Sequence, residues 1–398
     1  MKKLKLLLVI MMVLALVFSN AYARPSSAAN NNKKIIVFEE NFSNADEMDE
    51  LINAAGGTVE RHLSIINAVS AYLPDAALKR LAAEKNIKRI ETDSIVTMDK
   101  KPVPSPTETP PPPAPSQITP WGVDRIDADL SWHLVGAAVV KVAVLDTGID
   151  LDHPDLAANI KGGYNVISPR KTADDDNGHG THVAGIIAAV NNDFGVVGVG
   201  PTLDLYAVKV LDRRGSGTIS TIIAGIEWAI ANDIDVINMS LGGAGSISLQ
   251  EAVIKAYNAG IVLVASAGNS YGGSVGYPAA YVQVIAVSSI DSNDRISSFS
   301  SIGPEVDVAA PGGYIYSTYK GGVYAYMSGT SMAAPHVTGA VAVLLTRPDI
   351  ADFDGDGTIE PGEVYDIITG TAEDLGDPNY DTSFGFGLVD VPAMLLAP

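Results

Sequence analysis

Short, almost unbroken apolar runs recur through the larger, C-terminal part of the chain. They are Lys141–Leu145 (KVAVL), Leu205–Val210 (LYAVKV), Val236–Met239, Ile261–Ala265 (IVLVA) and Val284–Val287. A strand that is apolar on both faces belongs in a parallel sheet covered on both sides. Between these runs, His182–Val190, Ser220–Asn232 and Leu249–Asn258 space their apolar residues as core-facing helices do. A further helix of small and apolar residues is expected from Ser331 to Thr346. This alternation predicts a doubly wound, mostly parallel α/β body, whose ligands sit beyond the carboxyl ends of the strands.

The upstream pattern is different. Lys33–Glu39 reads as a strand and Asn44–Ala55 as a helix. Gly57–His62 and Ile65–Leu73 read as strands, Asp75–Lys85 as a helix capped by Asp75, and Ile87–Met98 as one last strand. The order β-α-β-β-α-β is that of a small ferredoxin-like α+β sandwich. Residues 101–116 (KPVPSPTETPPPPAPS) carry too much proline for helix or ladder and read as a semi-rigid, exposed linker. The expected organisation is a leader over 1–23, a small domain over 24–101, a linker over 102–116 and a large domain over 117–398.

With 398 residues the chain can bury one large core and a smaller one. Its net charge of −20 is uneven, since residues 1–101 are slightly basic and residues 102–398 hold the excess acid. An acidic body repels nucleic acid and anionic membranes and suits cation binding, although solubility alone accounts for it equally well. The absence of cysteine excludes disulfides and a thiol nucleophile. Lys2, Lys3 and Lys5 precede the apolar run Leu6–Phe18, and Ala21-Tyr22-Ala23 offers a small-x-small cleavage site. These are the marks of a secretory signal peptide, and the run falls short of the ~20 residues of a spanning helix. Export is expected, with no membrane attachment once the leader is removed.

Three short motifs carry candidate chemistry. VAVLDTGID puts Asp146 directly after an apolar run, DNGHGTHVAG puts His179 between two glycines, and SGTSMAAPH puts Ser331 at the start of a helix. Each alone has a plain structural reading as a turn, a core histidine or a cap. Together they supply what a serine nucleophile needs. An imidazole must take the hydroxyl proton, and a carboxylate must fix the imidazole tautomer. An amide must also hold the oxyanion, and Asn269 in ASAGNS is the candidate.

With DTGID, HGTHVAG and GTSMAAPH in that order, the chain from about Gln117 to Val391 resembles the subtilisin family of serine proteases. The resemblance implies that Asp146 orients the base, His179 is the general base and Ser331 the nucleophile. Asn269 and the Ser331 backbone N–H would form the oxyanion hole. It favours His179 over His182, the competing base. A metal-binding reading of that pair lacks a carboxylate at metalloprotease spacing.

The resemblance further implies that Gly215-Ser216-Gly217 and Ser240-Leu241-Gly242 clasp an extended peptide by main-chain bonds. Ser266-Ala267-Gly268 and Gly276 would wall the first specificity pocket, with room for Phe, Tyr, Leu or Met before the cleaved bond. The small domain is similar, more loosely, to the family's propeptide, a folding chaperone and inhibitor. Its end, IVTM, is expected in the substrate cleft with Met98 in the apolar pocket, and self-cleavage near Met98. A cut after Lys101 is disfavoured because Pro102 follows. The expected partners are protein and peptide substrates and the chain's own propeptide, with the protein a monomer.

ADFDGDGTIEPGEVYD, residues 351–366, has the ligand spacing of an EF-hand calcium loop. Its ligands would be Asp352, Asp354, Asp356, the Thr358 carbonyl, Glu360 through water and bidentate Glu363, with Gly357 at the turn. A solvated acidic loop is the plain alternative. Gly362 and Pro348 depart from EF-hand helices, so a single structural site is expected rather than a sensor. The family resemblance implies another calcium site in VNNDFGV. There the Asn192 side chain and the carbonyls of Val190, Phe194 and Val196 would act with Asp155 and Gln117. A weaker cation site is expected near Ala279, Tyr281, Val284 and Asp307. Calcium is thus the expected cofactor, accessory to peptide hydrolysis. Two readings stay open beside it: a calcium-binding secreted scaffold without activity, and a narrow processing protease. The intact Asp146, His179, Ser331 and Asn269 speak against the scaffold. Small neutral pocket positions speak against cleavage at basic sites.

Overall fold

The computed structural model describes residues 32–98, 116–352 and 354–397. The expected leader over 1–23 and linker residues 102–115 lie outside the described residues. Strands β1 (Lys33–Phe38), β2 (Thr58–Leu63), β3 (Ala68–Tyr72) and β4 (Ile87–Thr92) form an antiparallel sheet ordered β2-β3-β1-β4. Helices α1 (Ala45–Ala54) and α2 (Asp75–Leu81) cover one face, packing Met48, Ile52, Ala77 and Leu81 on Ile36, Phe38 and Val69. The opposite face, with Ile35, Val37 and Ala68, continues into the core of the large domain.

Asp75 is the first residue of α2, and Pro74 holds the cap position without a side-chain bond. The strand expected over Ile65–Leu73 opens as a 3-10 turn, Ser64–Ile66, and leaves it through Asn67 at φ 50°. The strand expected over Ile87–Met98 is two strands. The buried Asp93 carboxylate interrupts it by binding Lys33 Nζ at 3.0 Å, the Ser220 N–H at 2.8 Å and the Ser220 hydroxyl at 2.6 Å. Those anchors turn the chain out of the first sheet. Strand β5 (Ile95–Thr97) therefore joins the large domain.

Seven parallel strands build the large domain: β6 (Lys141–Asp146), β7 (Ile160–Asn165), β8 (Asp204–Lys209), β10 (Val236–Met239), β12 (Val262–Ser266), β13 (Val284–Ile290) and β14 (Val308–Pro311). Their order is β14-β13-β12-β10-β6-β8-β7. On β6, Val142 and Val144 pack into the core shared with α3 (His179–Ala188) and α6 (Thr330–Leu345). Ala143 and Leu145 pack into the core shared with α4 (Ile219–Ala231) and α5 (Ile247–Asn258). Burial on both faces explains why the run has no polar side. Strand β6 lies between β8 and β10, where the strand order reverses, and Asp146 is its last residue. Open α/β sheets form their ligand crevice at such a point.

Helix α3 starts three residues before the expected His182. A hairpin, β15 (Ile315–Tyr319) and β16 (Val323–Met327), leads into α6, and α7 (Pro361–Gly370) follows the acidic loop. Strand β5 is inserted between β9 (Ser216–Thr218) and β11 (Gly242–Gly243), antiparallel to both.

Candidate active site

The fold brings Asp146 at the end of β6, His179 at the start of α3 and Ser331 in the first turn of α6 to one crevice. Their exposures are 0%, 4% and 2%, so charges there act in a dry setting. His179 Nδ1 lies 2.8 Å from Asp146 Oδ1 and 2.9 Å from Oδ2. A carboxylate so placed keeps a proton on Nδ1 and leaves Nε2 as the basic nitrogen. The Thr147 N–H donates to Asp146 Oδ1 at 2.7 Å and steadies it.

Sequence reasoning missed Asp175. Its Oδ1 accepts from the Thr147 hydroxyl at 2.9 Å and from the N–H groups of Asn177 and Gly178 at 2.8 and 2.9 Å. Its Oδ2 accepts from the Thr181 N–H at 3.0 Å and hydroxyl at 2.6 Å. Thr147 Oγ1 in turn accepts from the Gly180 N–H at 3.0 Å. The start of α3, which carries His179, is thus tied to the end of β6, which carries Asp146. An acidic residue just ahead of a helix start was the available signal. Gly178, at φ 116°, precedes His179, and a β-carbon there would run into the Tyr319 ring. Only glycine fits that approach.

Ser331 is held through its backbone. Its carbonyl accepts from the Ser240 hydroxyl at 2.9 Å, Ser240 Oγ accepts from Asn238 Nδ2 at 3.0 Å, and Asn238 Oδ1 accepts from Thr338 at 2.8 Å. Asn269 Oδ1 accepts from the Thr330 N–H at 3.0 Å and hydroxyl at 3.2 Å, which fixes the direction of its amide. A β-carbon built on Gly329 would stand 3.2 Å from Asn269 Nδ2 and 3.6 Å from the Ser331 nitrogen. Two N–H donors therefore flank one small space beside Ser331.

His182, the competing base, sits elsewhere. Its Nε2 lies 3.1 Å from the Ile315 carbonyl and 3.0 Å from that of Ala325, on the hairpin. Burial pushes its pKa down to about 3, against the weaker pull of those carbonyls.

The residues expected to clasp a peptide line the slot that β5 occupies. Val96 and Thr97 pair with Gly217 and Ser216 on one side and with Gly243 and Gly242 on the other. Leu241 is buried beneath, in the core shared with Ala267. Beyond the slot, the Gly276 N–H donates to the Ala267 carbonyl at 3.0 Å. A β-carbon at Gly276 would find nothing nearer than 4.0 Å, so the recess walled by Ser266, Ala267 and Gly268 is open at that point. Met98 is not in that recess, contrary to expectation. Its N–H donates to the Gly215 carbonyl at 3.0 Å, and its side chain lies against the Gly215 α-carbon. The antiparallel register places it on the β9 wall.

Two oxygen-rich clusters fit cations. Asp155 is fully buried, and its carboxylate takes Asn192 Nδ2 at 2.7 Å, the Val196 N–H at 2.9 Å and the Tyr324 hydroxyl at 3.0 Å. No ion pair compensates it among the described residues. Gln117 Nε2 reaches the Val190 carbonyl at 2.9 Å, and Asn192 Oδ1 accepts from the Phe194 N–H at 2.9 Å. The expected ligands are therefore neighbours. A buried carboxylate without a cationic partner is costly, which suits a cation at this place.

In the second cluster, carboxylate oxygens of Asp352, Asp354 and Asp356 lie within 4.8 Å of one another. Glu363 joins them, accepting from the Asp354 N–H at 3.0 Å and the Glu360 N–H at 2.9 Å. The Thr358 N–H donates to Asp356 at 2.8 Å, and Asp352 Oδ1 is buried without a hydrogen bond. An orphaned, buried carboxylate oxygen among acidic neighbours fits a hard divalent cation. Asp307, at the expected weaker site, lines a cavity of about 540 Å³ with Ala279, Tyr281 and Val284. Burial pushes its pKa up to about 6, and its oxygens accept from the Ala286 N–H at 2.8 Å and the Tyr365 hydroxyl at 2.9 Å.

Residues 138–387 match the Subtilase family, Peptidase_S8. The chain is 42% identical over 399 residues to subtilisin amylosacchariticus of Bacillus subtilis subsp. amylosacchariticus, covering 98% of this chain and 97% of that protein. It is 41% identical to subtilisin E of Bacillus subtilis (strain 168), with the same coverage. It is also 41% identical over 382 residues to a thermostable alkaline protease of Halalkalibacterium halodurans, covering 95% and 96% of the two chains.

Proposed function

The chain belongs to the subtilase family and is a serine endopeptidase of the subtilisin type acting on peptides and proteins, and from that premise we propose how its residues divide the work. Ser331 Oγ attacks the scissile carbonyl. His179 Nε2 takes the hydroxyl proton and later delivers it to the leaving amine. Asp146 holds the imidazole and stabilises the imidazolium. Asn269 Nδ2 and the Ser331 N–H receive the developing oxyanion. A water molecule then releases the acyl group by the same proton transfers in reverse. The observation that carries this reading is the 2.8 Å pairing of His179 Nδ1 with a fully buried Asp146.

Substrate residues ahead of the cleaved bond take the place of β5, as a strand added between β9 and β11. The neutral recess at Gly268 and Gly276 receives a large apolar side chain. The small domain is an inhibitory propeptide whose end fills this slot, and self-cleavage follows Met98 closely. Residues 1–23 direct secretion. Calcium held by Gln117, Asp155, Val190, Asn192, Phe194 and Val196, and by Asp352, Asp354, Asp356, Thr358, Glu360 and Glu363, supplies positive charge that clips loops to the body.

A panel of peptides differing only before the scissile bond tests the pocket. Cleavage is expected to favour Phe, Tyr, Leu and Met. A preference for Glu or Arg would contradict it.

A further inference from the structure

Four tyrosines form a continuous stripe on the outer face of the β15–β16 hairpin. Tyr314 stacks on Tyr326 at 4.3 Å and 15°, Tyr326 meets Tyr316 at 4.6 Å, and Tyr316 meets Tyr324 at 5.9 Å. Tyr316 and Tyr326 are direct cross-strand partners. Tyr314 is 60% exposed and Tyr326 42%, so the Tyr314–Tyr326 end of the stripe faces solvent.

The two ends of the stripe have different neighbours. At one end the Tyr314 N–H donates to the Ser328 hydroxyl at 2.7 Å, three residues before Ser331. At the other, the Tyr324 hydroxyl donates to Asp155, whose carboxylate also holds the Val196 N–H. After residues 99–115 the described chain resumes at the second of these places. It leaves the slot after Met98, beside Gly215, and returns at Ser116, which bridges Phe194, with Ile118 bridging Val196. Those seventeen residues reach about 50 Å if extended at ~3.1 Å each, ample to follow the stripe. Eight of them are proline, including the run Pro110–Pro113. Proline-rich segments adopt polyproline II at little entropic cost and dock on rows of aromatic rings.

We propose that the tyrosine stripe Tyr314–Tyr326–Tyr316–Tyr324 is the docking track of the chain's own proline-rich segment, residues 102–115. The segment lies along the hairpin and tethers the chain between the catalytic crevice and Ser116. The docking does not depend on peptide hydrolysis, so it is testable where hydrolysis is abolished.

The natural sequence has no cysteine, so Pro111→Cys gives a single labelling site. A nitroxide is placed there in the full chain carrying Ser331→Ala, and tyrosine ring NMR signals are followed. The expected result is loss of the Tyr314, Tyr316 and Tyr326 signals, with that of Tyr380, packed on Phe386, retained. Pro110→Ser, Pro112→Ser and Pro113→Ser together restore the lost signals, and Tyr326→Ala quickens the motion of the label. Unchanged ring signals overturn the proposal. So does equal loss with the prolines replaced, which reports tethering alone. If the label spares the rings while a peptide extending past the scissile bond shifts them, the stripe belongs to substrate and the proposal fails.

Discussion

Glu91 of the small domain accepts from Ser248 of the large domain twice, at 3.1 Å from the backbone N–H and 2.7 Å from the hydroxyl. Ser248 stands in the first turn of α5, so a carboxylate from one domain caps a helix of the other. Asp93 does the same for α4 at Ser220.

Loss of this cap is predicted to weaken inhibition by the small domain. Burial raises the pKa of Glu91, but bonds from Arg89, Ser248 and Ser246 outweigh burial and hold it below the ordinary value. A carboxyl lowered in the docked state contributes fully above its free pKa. That contribution is lost as pH falls through the docked value. Glu91→Ala should release peptidase activity sooner after self-cleavage, with docking weakened by roughly 5–30-fold, or about 1–2 kcal/mol. The lag before activity, measured from neutral to acid pH, checks both the variant and the sign.

Asn269→Ala should lower kcat by about 100–1,000-fold, the usual cost of one oxyanion donor in serine proteases of this type, and leave KM nearly unchanged. Steady-state kinetics on one good peptide decides. An equal change in KM alone would mean that Asn269 serves ground-state binding.

Chelation should lower the melting temperature. A site held at 100 times its Kd contributes about 2.7 kcal/mol, or roughly 5–10 °C in a domain of this size. Glu363→Gln should remove one calcium-dependent increment and Asp155→Asn another. Melts across a calcium titration separate the two, and melts that ignore calcium would refute both sites.

His182 predicts acid sensitivity of folding. Its folded pKa, near 3, lies below the ~6.5 of an unfolded chain. Below pH ~6.5 the unfolded chain binds the extra proton, so stability falls with pH until about 3. Urea denaturation at pH 4–6 should show a slope smaller by up to ~1.4 kcal/mol per pH unit in His182→Gln.

What the sequence made legible follows from local chemistry. Buried parallel strands are apolar on both faces, so β6, β8, β10, β12 and β13 stood out. The edge strand β7 did not, since it reads IKGGYN and is only partly buried. Glycines hid the true start of α3, because Gly178 caps it without a side-chain bond. The motifs around Asp146, His179 and Ser331 pointed to one crevice, but the threefold anchoring of Asp93 by Lys33 and Ser220 is a long-range event. That event split the last strand and set Met98 against Gly215, and no local pattern foretells it. The role of Asp175 between two elements was hidden for a related reason, as its partners Thr147 and Thr181 lie far apart in sequence, although its place ahead of a helix start was a signal.

The central claim is best tested by fragment masses. Residues 24–398 are purified with and without calcium, beside the same chain carrying Ser331→Ala. The account predicts a cut within the few bonds after Met98 in the first protein and none in the second. The same cut in both proteins, or none in either when both are folded, would contradict it.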